Sequence, residues 1–118
     1  MDFKNYTIKS QQIIQKALNL VTGSNQQSIE NTHLLKAMLG NEDDLVTTLL
    51  KKSGVNTSIL NTLLDKEINS YPKVSGGEPY LSNSTNRVLS EATRIMKGMH
   101  DEYVAVEHIL IAIARSGD

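Results

Sequence analysis

Three histidines and a short run of acids are the side chains whose types and spacing suggest chemistry. His100, Asp101 and Glu102 come shortly before Glu107 and His108, while His33 stands far upstream. Imidazole and carboxylate together can hold a metal ion or pass a proton. The spacing argues against both. Glu107 and His108 are adjacent, so on a helix they point about 100° apart and make a poor ligand pair. Acid–base work by Asp101 and Glu107 would need both in one pocket with unequal proton affinities, and no catalytic phrase accompanies them. The chain contains no His-Glu-x-x-His, no Gly-x-Ser-x-Gly and no Gly-x-x-x-x-Gly-Lys-Ser/Thr, and Gly76-Gly77 has no Lys-Ser/Thr after it. The expectation is a chain that is not an enzyme, holds no metal and no other cofactor, and hydrolyses neither ATP nor peptides.

The histidines say more as a pair. His33 sits in Ile29-Glu30-Asn31-Thr32-His33-Leu34-Leu35, and His108 in Val104-Ala105-Val106-Glu107-His108-Ile109-Leu110, 75 residues on. The same offset pairs Thr7 with Ser82, Ser10 with Thr85, Ile13 with Val88, Ile14 with Leu89, Ala17 with Ala92 and Leu20 with Ile95. One ungapped register across two apolar segments marks an internal duplication. His33 and His108 are then repeat-equivalent structural residues near helix starts, expected to bond across the pseudo-twofold.

The elements that carry them read as helices throughout. Ile13, Ile14, Ala17, Leu18 and Val21 form a stripe that Thr7 or Ser10 can cap and Gly23 can end. A second helix is predicted from about Thr32 to Leu39, ending at Gly40. Asn41-Glu42-Asp43-Asp44 places acceptors and negative charge before a third, with Leu45, Val46, Leu49 and Leu50 as its stripe and Ser53-Gly54 as its end. Asn56 caps a fourth, bearing Ile59, Leu60, Leu63, Leu64 and Ile68. Pro72, Gly76, Gly77 and Pro79 make residues 71–80 a surface connector. Ser82 opens a fifth helix with Val88, Leu89, Ala92, Ile95, Met96 and Met99, and a sixth starts near Ala105.

The fold expected is all-α: one domain over 1–118, with repeat one at 1–70, a linker at 71–80 and a partial repeat two at 81–118. Repeat two lacks counterparts of the third and fourth helices, which suggests a piece of a longer polypeptide whose fifth and sixth helices carry bared apolar faces.

Composition narrows the function. Of 118 residues, 39% are apolar and only 4% aromatic, so the core must be aliphatic and no stacking platform for bases exists. Twelve basic and 13 acidic residues leave a net charge of −1, which argues against a nucleic-acid surface. Cysteine is absent, no signal-like start is present and no apolar run approaches a bilayer's thickness. A soluble cytoplasmic protein with no membrane partner is the default.

Two helical repeats, each opening its second helix with Glu/Thr-His-Leu/Ile-Leu, resemble the amino-terminal, double Clp-N repeat domain of the Clp ATPases. The connector Tyr71-Pro72-Lys73-Val74-Ser75-Gly76-Gly77 and the opening Tyr6-Thr7-Ile8-Lys9-Ser10-Gln11 look most like the ClpB disaggregase branch. The resemblance implies a pseudo-twofold helical domain, flexibly joined to two AAA+ modules in a hexameric ring that uses ATP and Mg. It implies capture of unfolded or aggregated proteins, working with a DnaK-type chaperone. By position it points to Thr7, Asp101 and Glu107 as client-handling residues and to Leu89 as floor of the client groove. The plainer roles are an N-cap for Thr7, a turn cap for Asp101, a dipole partner for Glu107 and core for Leu89. The alternative within the family is an adaptor-docking domain of a ClpA/ClpC-type protease ATPase. ClpC-like chains carry Glu before the histidine in both repeats; here repeat one has Thr32 and only Glu107 remains, which favours ClpB.

Overall fold

A hydroxyl oxygen sets where each half of the molecule begins to coil. Thr7 caps α1 (Ile8–Gly23), its Oγ1 accepting the Ser10 N–H at 3.1 Å. Ser82 does the same for α5 (Asn83–Gly98), accepting the Thr85 N–H at 3.0 Å. The four N–H groups at a helix start have no partner inside the helix, so a hydroxyl at that position stabilises it. The computed structural model describes residues 3–40, 45–74 and 76–117. Among them the remaining elements are β1 (Ser28–Ile29), α2 (Asn31–Leu39), α3 (Leu45–Lys52), α4 (Thr57–Ser70), β2 (Tyr80–Leu81) and α6 (Val106–Ser116). The all-α expectation holds, with two short strands added. The Asn41 to Asp44 cap expected for α3 lies outside the described residues, as does Ser75 of the connector.

Helices α1 and α5 end alike. Asn25 and His100 take the left-handed conformation at φ 57° and 60°. The next residue folds back in each case, Gln26 N–H to Val21 C=O at 2.9 Å and Asp101 N–H to Met96 C=O at 3.0 Å. This is the Schellman ending, and asparagine and histidine tolerate its φ better than most residues. His100 therefore has a backbone role.

The two halves exchange their opening segments. Thr7 N–H donates to Val104 C=O at 3.0 Å, and Ser82 N–H donates to Ile29 C=O at 3.1 Å. Tyr6 bridges Val104 in parallel, as Leu81 pairs with Ile29. Gln11 Nε2 reaches Tyr6 C=O and Asn86 Nδ2 reaches Leu81 C=O. Each contact maps onto its counterpart 75 residues away with the halves interchanged, the signature of a pseudo-twofold.

The core lies where α1, α2, α5 and α6 meet. Ala17, Ala37, Ala92 and Ala112 are all buried, so small side chains occupy equivalent places in both repeats and let the helices approach closely. Leu34, Ile109, Val21, Val88 and Val104 fill the space between. α4 packs on α2, and α3 lies against α2, α4 and α6. The bared faces expected on α5 and α6 are not found there: Val88, Leu89, Ala92, Ile109, Ala112 and Ile113 are buried. The large exposed apolar side chains of the helices lie mainly on α3 and α4, at Leu45, Leu49, Ile59 and Leu63. A helical stripe read from spacing is wider than the face each short helix buries.

The described residues of 71–80 are mostly exposed and are tied to the first repeat. The Tyr71 hydroxyl meets Thr32 Oγ1 at 2.7 Å, Val74 N–H donates to Asn25 C=O at 2.8 Å and Gln27 Nε2 donates to Glu78 C=O at 3.1 Å. Gly77 is needed there: its φ is +84°, and an added Cβ would run into the Gln27 side-chain amide.

The equivalence of the two caps has a measurable consequence. Thr7→Ala and Ser82→Ala should each cost about 1 kcal/mol, and Thr7→Ser should cost little. Urea unfolding of the three variants checks this; a large difference between the two alanine variants would show that the halves are not energetically matched.

Candidate functional site

The site begins at the two histidines, because they fix the loops that carry its other residues. His33 is fully buried, with Nδ1 accepting the Glu30 N–H at 2.9 Å and Nε2 2.9 Å from Gln26 Oε1. His108 is equally enclosed, with Nδ1 accepting the Ala105 N–H at 2.8 Å and Nε2 2.9 Å from Asp101 Oδ2. A backbone N–H can only donate, so Nδ1 must be bare and Nε2 must carry the hydrogen. Both rings are thus neutral when these bonds are made. The bonds run to residues three and seven positions upstream in the same repeat. The expected bonding across the pseudo-twofold is corrected: the histidines tie one helix end to the next helix start. Both ring nitrogens are engaged in each case, and among the described residues no group of three or more His, Cys, Asp or Glu is placed to hold a metal.

In repeat one the chain of contacts continues inward. Gln26 accepts from His33 and donates from Nε2 to Ile68 C=O at 2.7 Å, at the end of α4. An amide both donates and accepts, which this buried position requires. In repeat two the equivalent residue is Asp101, whose side chain is 49% exposed.

The 101–107 loop meets the opening segment of the chain. Val104 is buried and receives the Thr7 N–H, while its own N–H donates to Asn5 C=O at 2.7 Å. Tyr6 is buried beside it, edge-on to Phe3 with centroids 5.1 Å apart. Burial pushes the Tyr6 phenol above its usual range, partly offset by a hydrogen bond with Thr93 of α5. Thr7 is thereby held against Val104, with Asp101 and Glu107 three residues to either side of it in sequence. Glu107 stands half-buried in the first turn of α6, where a negative charge suits the helix dipole.

Leu89 is placed elsewhere. It is 3% exposed and belongs to the core, so it presents no surface. Three apolar residues that spacing did not single out for the site are exposed close in sequence to Thr7, Asp101 and Glu107: Ile8 at 75%, Met99 at 54% and Tyr103 at 52%. Met99, expected on the buried stripe of α5, instead follows the helix end as its C-cap. Gln26 was also missed, although applying the 75-residue offset to Asp101 leads straight to it. Thr32, which takes the place of Glu107 in repeat one, is engaged by the Tyr71 hydroxyl. The two equivalent positions therefore present different surfaces.

This helical arrangement is that of a known class of domain. The family model of the Clp repeat (R) N-terminal domain matches residues 5–118, and the chain belongs to that family. The chaperone protein ClpB of Bacteroides thetaiotaomicron is 46% identical over 113 residues, covering 96% of this chain and 13% of that protein. ClpB of Porphyromonas gingivalis is 47% identical over 113 residues, covering 96% of this chain and 13% of that protein. The Hsp104 N-terminal domain of Candida albicans superimposes with a TM-score of 0.84 at 23% identity, covering 92% of this chain and 73% of that one. The chain is similar in sequence to these ClpB proteins and in fold to the Hsp104 N-terminal domain. It spans about an eighth of the length of the ClpB relatives it matches.

Burial lowers the proton affinity of His33 below its ordinary 6.5, and the nearby Glu30 only partly offsets this. The folded chain therefore resists protonation there while the unfolded chain does not. Stability contributed by this group is complete above pH 6.5 and declines as pH falls below it. The urea midpoint should drop between pH 7.5 and 5.5, and His33→Gln, though less stable, should show a smaller drop. An identical slope in both chains would count against this role.

Proposed function

We propose that this domain captures exposed segments of unfolded or aggregated protein for a ClpB-type AAA+ chaperone. The observation that carries the reading is the meeting of the opening segment with the α5–α6 loop. Exposed Ile8 follows Thr7, and exposed Met99 and Tyr103 lie close in sequence to Glu102 and Glu107 on the loop that Thr7 meets.

An unfolded client offers apolar side chains, unpaired backbone donors and basic groups. Burying its apolar surface against Ile8, Met99 and Tyr103 removes that surface from water. The Glu102 and Glu107 carboxylates beside them accept hydrogen bonds from client N–H groups or pair with client Lys and Arg. An open surface with few directional contacts is tolerant of client sequence, as a capture site requires. In this reading the remainder of the parent protein forms a cytoplasmic hexameric ring that uses ATP and Mg to thread the client, together with a DnaK-type chaperone. The engagement of Thr32 by Tyr71 supports client capture at repeat two over a symmetric two-acid adaptor site.

Casein, which is permanently unfolded, serves as the probe. Glu107→Ala, Tyr103→Ser and Ile8→Ser should each weaken its binding about fivefold, equivalent to roughly 1 kcal/mol, while leaving the urea midpoint nearly unchanged. Wild-type binding in all three variants would remove the surface from consideration.

A further inference from the structure

Building on the proposal that the α5–α6 loop receives clients, we infer that Asp101 is a positioning residue that acts through His108. Its carboxylate selects the histidine tautomer that closes the start of α6, and so sets the loop between Glu102 and Glu107.

Three observations carry this. Asp101 Oδ2 lies 2.9 Å from His108 Nε2, so the carboxylate accepts the Nε2–H of a ring that is 2% exposed. The other ring nitrogen must then be bare, and it accepts the Ala105 N–H at 2.8 Å. Ala105 is the N-cap of α6 and has no side-chain acceptor to offer, so the histidine supplies the capping contact there.

The two bonds of the ring depend on each other. Without an acceptor at position 101, Nε2–H is left buried and unsatisfied. Moving the hydrogen to Nδ1 would relieve that but turn two donors toward each other at Ala105. Either way the start of α6 loosens, and with it the segment that holds Tyr103, Val104 and Glu107. Repeat one performs the same task with an uncharged residue, since Gln26 Oε1 lies 2.9 Å from His33 Nε2. What the histidine requires is therefore an acceptor; negative charge is dispensable.

That distinction gives the test. Asp101→Asn keeps an acceptor and removes the charge, while Asp101→Ala removes both. The readouts are the His108 nitrogen chemical shifts, which report the tautomer, amide hydrogen exchange at Ala105, and casein capture. Asp101→Asn is expected to keep the Nε2–H tautomer, the Ala105 protection and casein capture within about twofold of wild type. Asp101→Ala should speed Ala105 exchange about tenfold or more and weaken capture with it. The inference is overturned if Asp101→Ala leaves Ala105 exchange unchanged. It is equally overturned if Asp101→Asn loses capture while tautomer and exchange stay wild-type, because the charge itself would then touch the client. Should the wild-type chain fail to hold casein at all, the capture reading falls, and the tautomer and Ala105 exchange still decide the role of Asp101.

Discussion

A buried neutral imidazole, bonded at both nitrogens, is the interaction on which the rest of this structure depends. A helix start leaves N–H groups unpaired, and a helix end demands a residue that turns the chain away. In each repeat one buried histidine ties the two together. Its Nδ1 accepts the N–H at the start of the second helix, and its Nε2–H reaches the residue just past the end of the first. Two helices joined this way must lie side by side, which brings Ala17 and Ala37 in one repeat, and Ala92 and Ala112 in the other, into the core.

Each locked pair still leaves the edge of its inter-helix loop exposed, and the other repeat covers it. Ile29 pairs with the segment that opens repeat two, and Val104 with the segment that opens repeat one. Unpaired backbone groups near a core are costly, so the exchange satisfies both loops at once. It also builds the site as a by-product. Thr7 is beside the 101–107 loop because its backbone completes that loop's hydrogen bonding.

Duplication supplies the frame, and departures from it separate the two ends. Gln26 is buried against α4 and must donate as well as accept, whereas Asp101 is half exposed and only accepts. Thr32 is engaged by Tyr71, whereas Glu107 stands at the surface of α6. Repeat one has turned these positions toward internal packing. Repeat two has acids at the same two places, Asp101 exposed and Glu107 half-buried.

Much of this was legible in the chain itself. The 75-residue offset, the hydroxyls of Thr7 and Ser82, and the stripe around Ile13, Ala17 and Val21 are local patterns, and local hydrogen bonding and helical periodicity suffice to read them. Helix order, the duplication and the family therefore followed from residues alone. Tertiary structure decided what lies far apart in sequence or depends on which face is covered. It placed Leu89 inside and Met99 outside, stitched residues 71–80 to the first repeat, and drew Thr7 to Val104. It also kept each histidine's bonds within its own repeat. Spacing says which residues share a helix face. Only packing determines how much of that face is buried, and only the closed fold brings residues nearly a hundred positions apart within reach of one hydrogen bond.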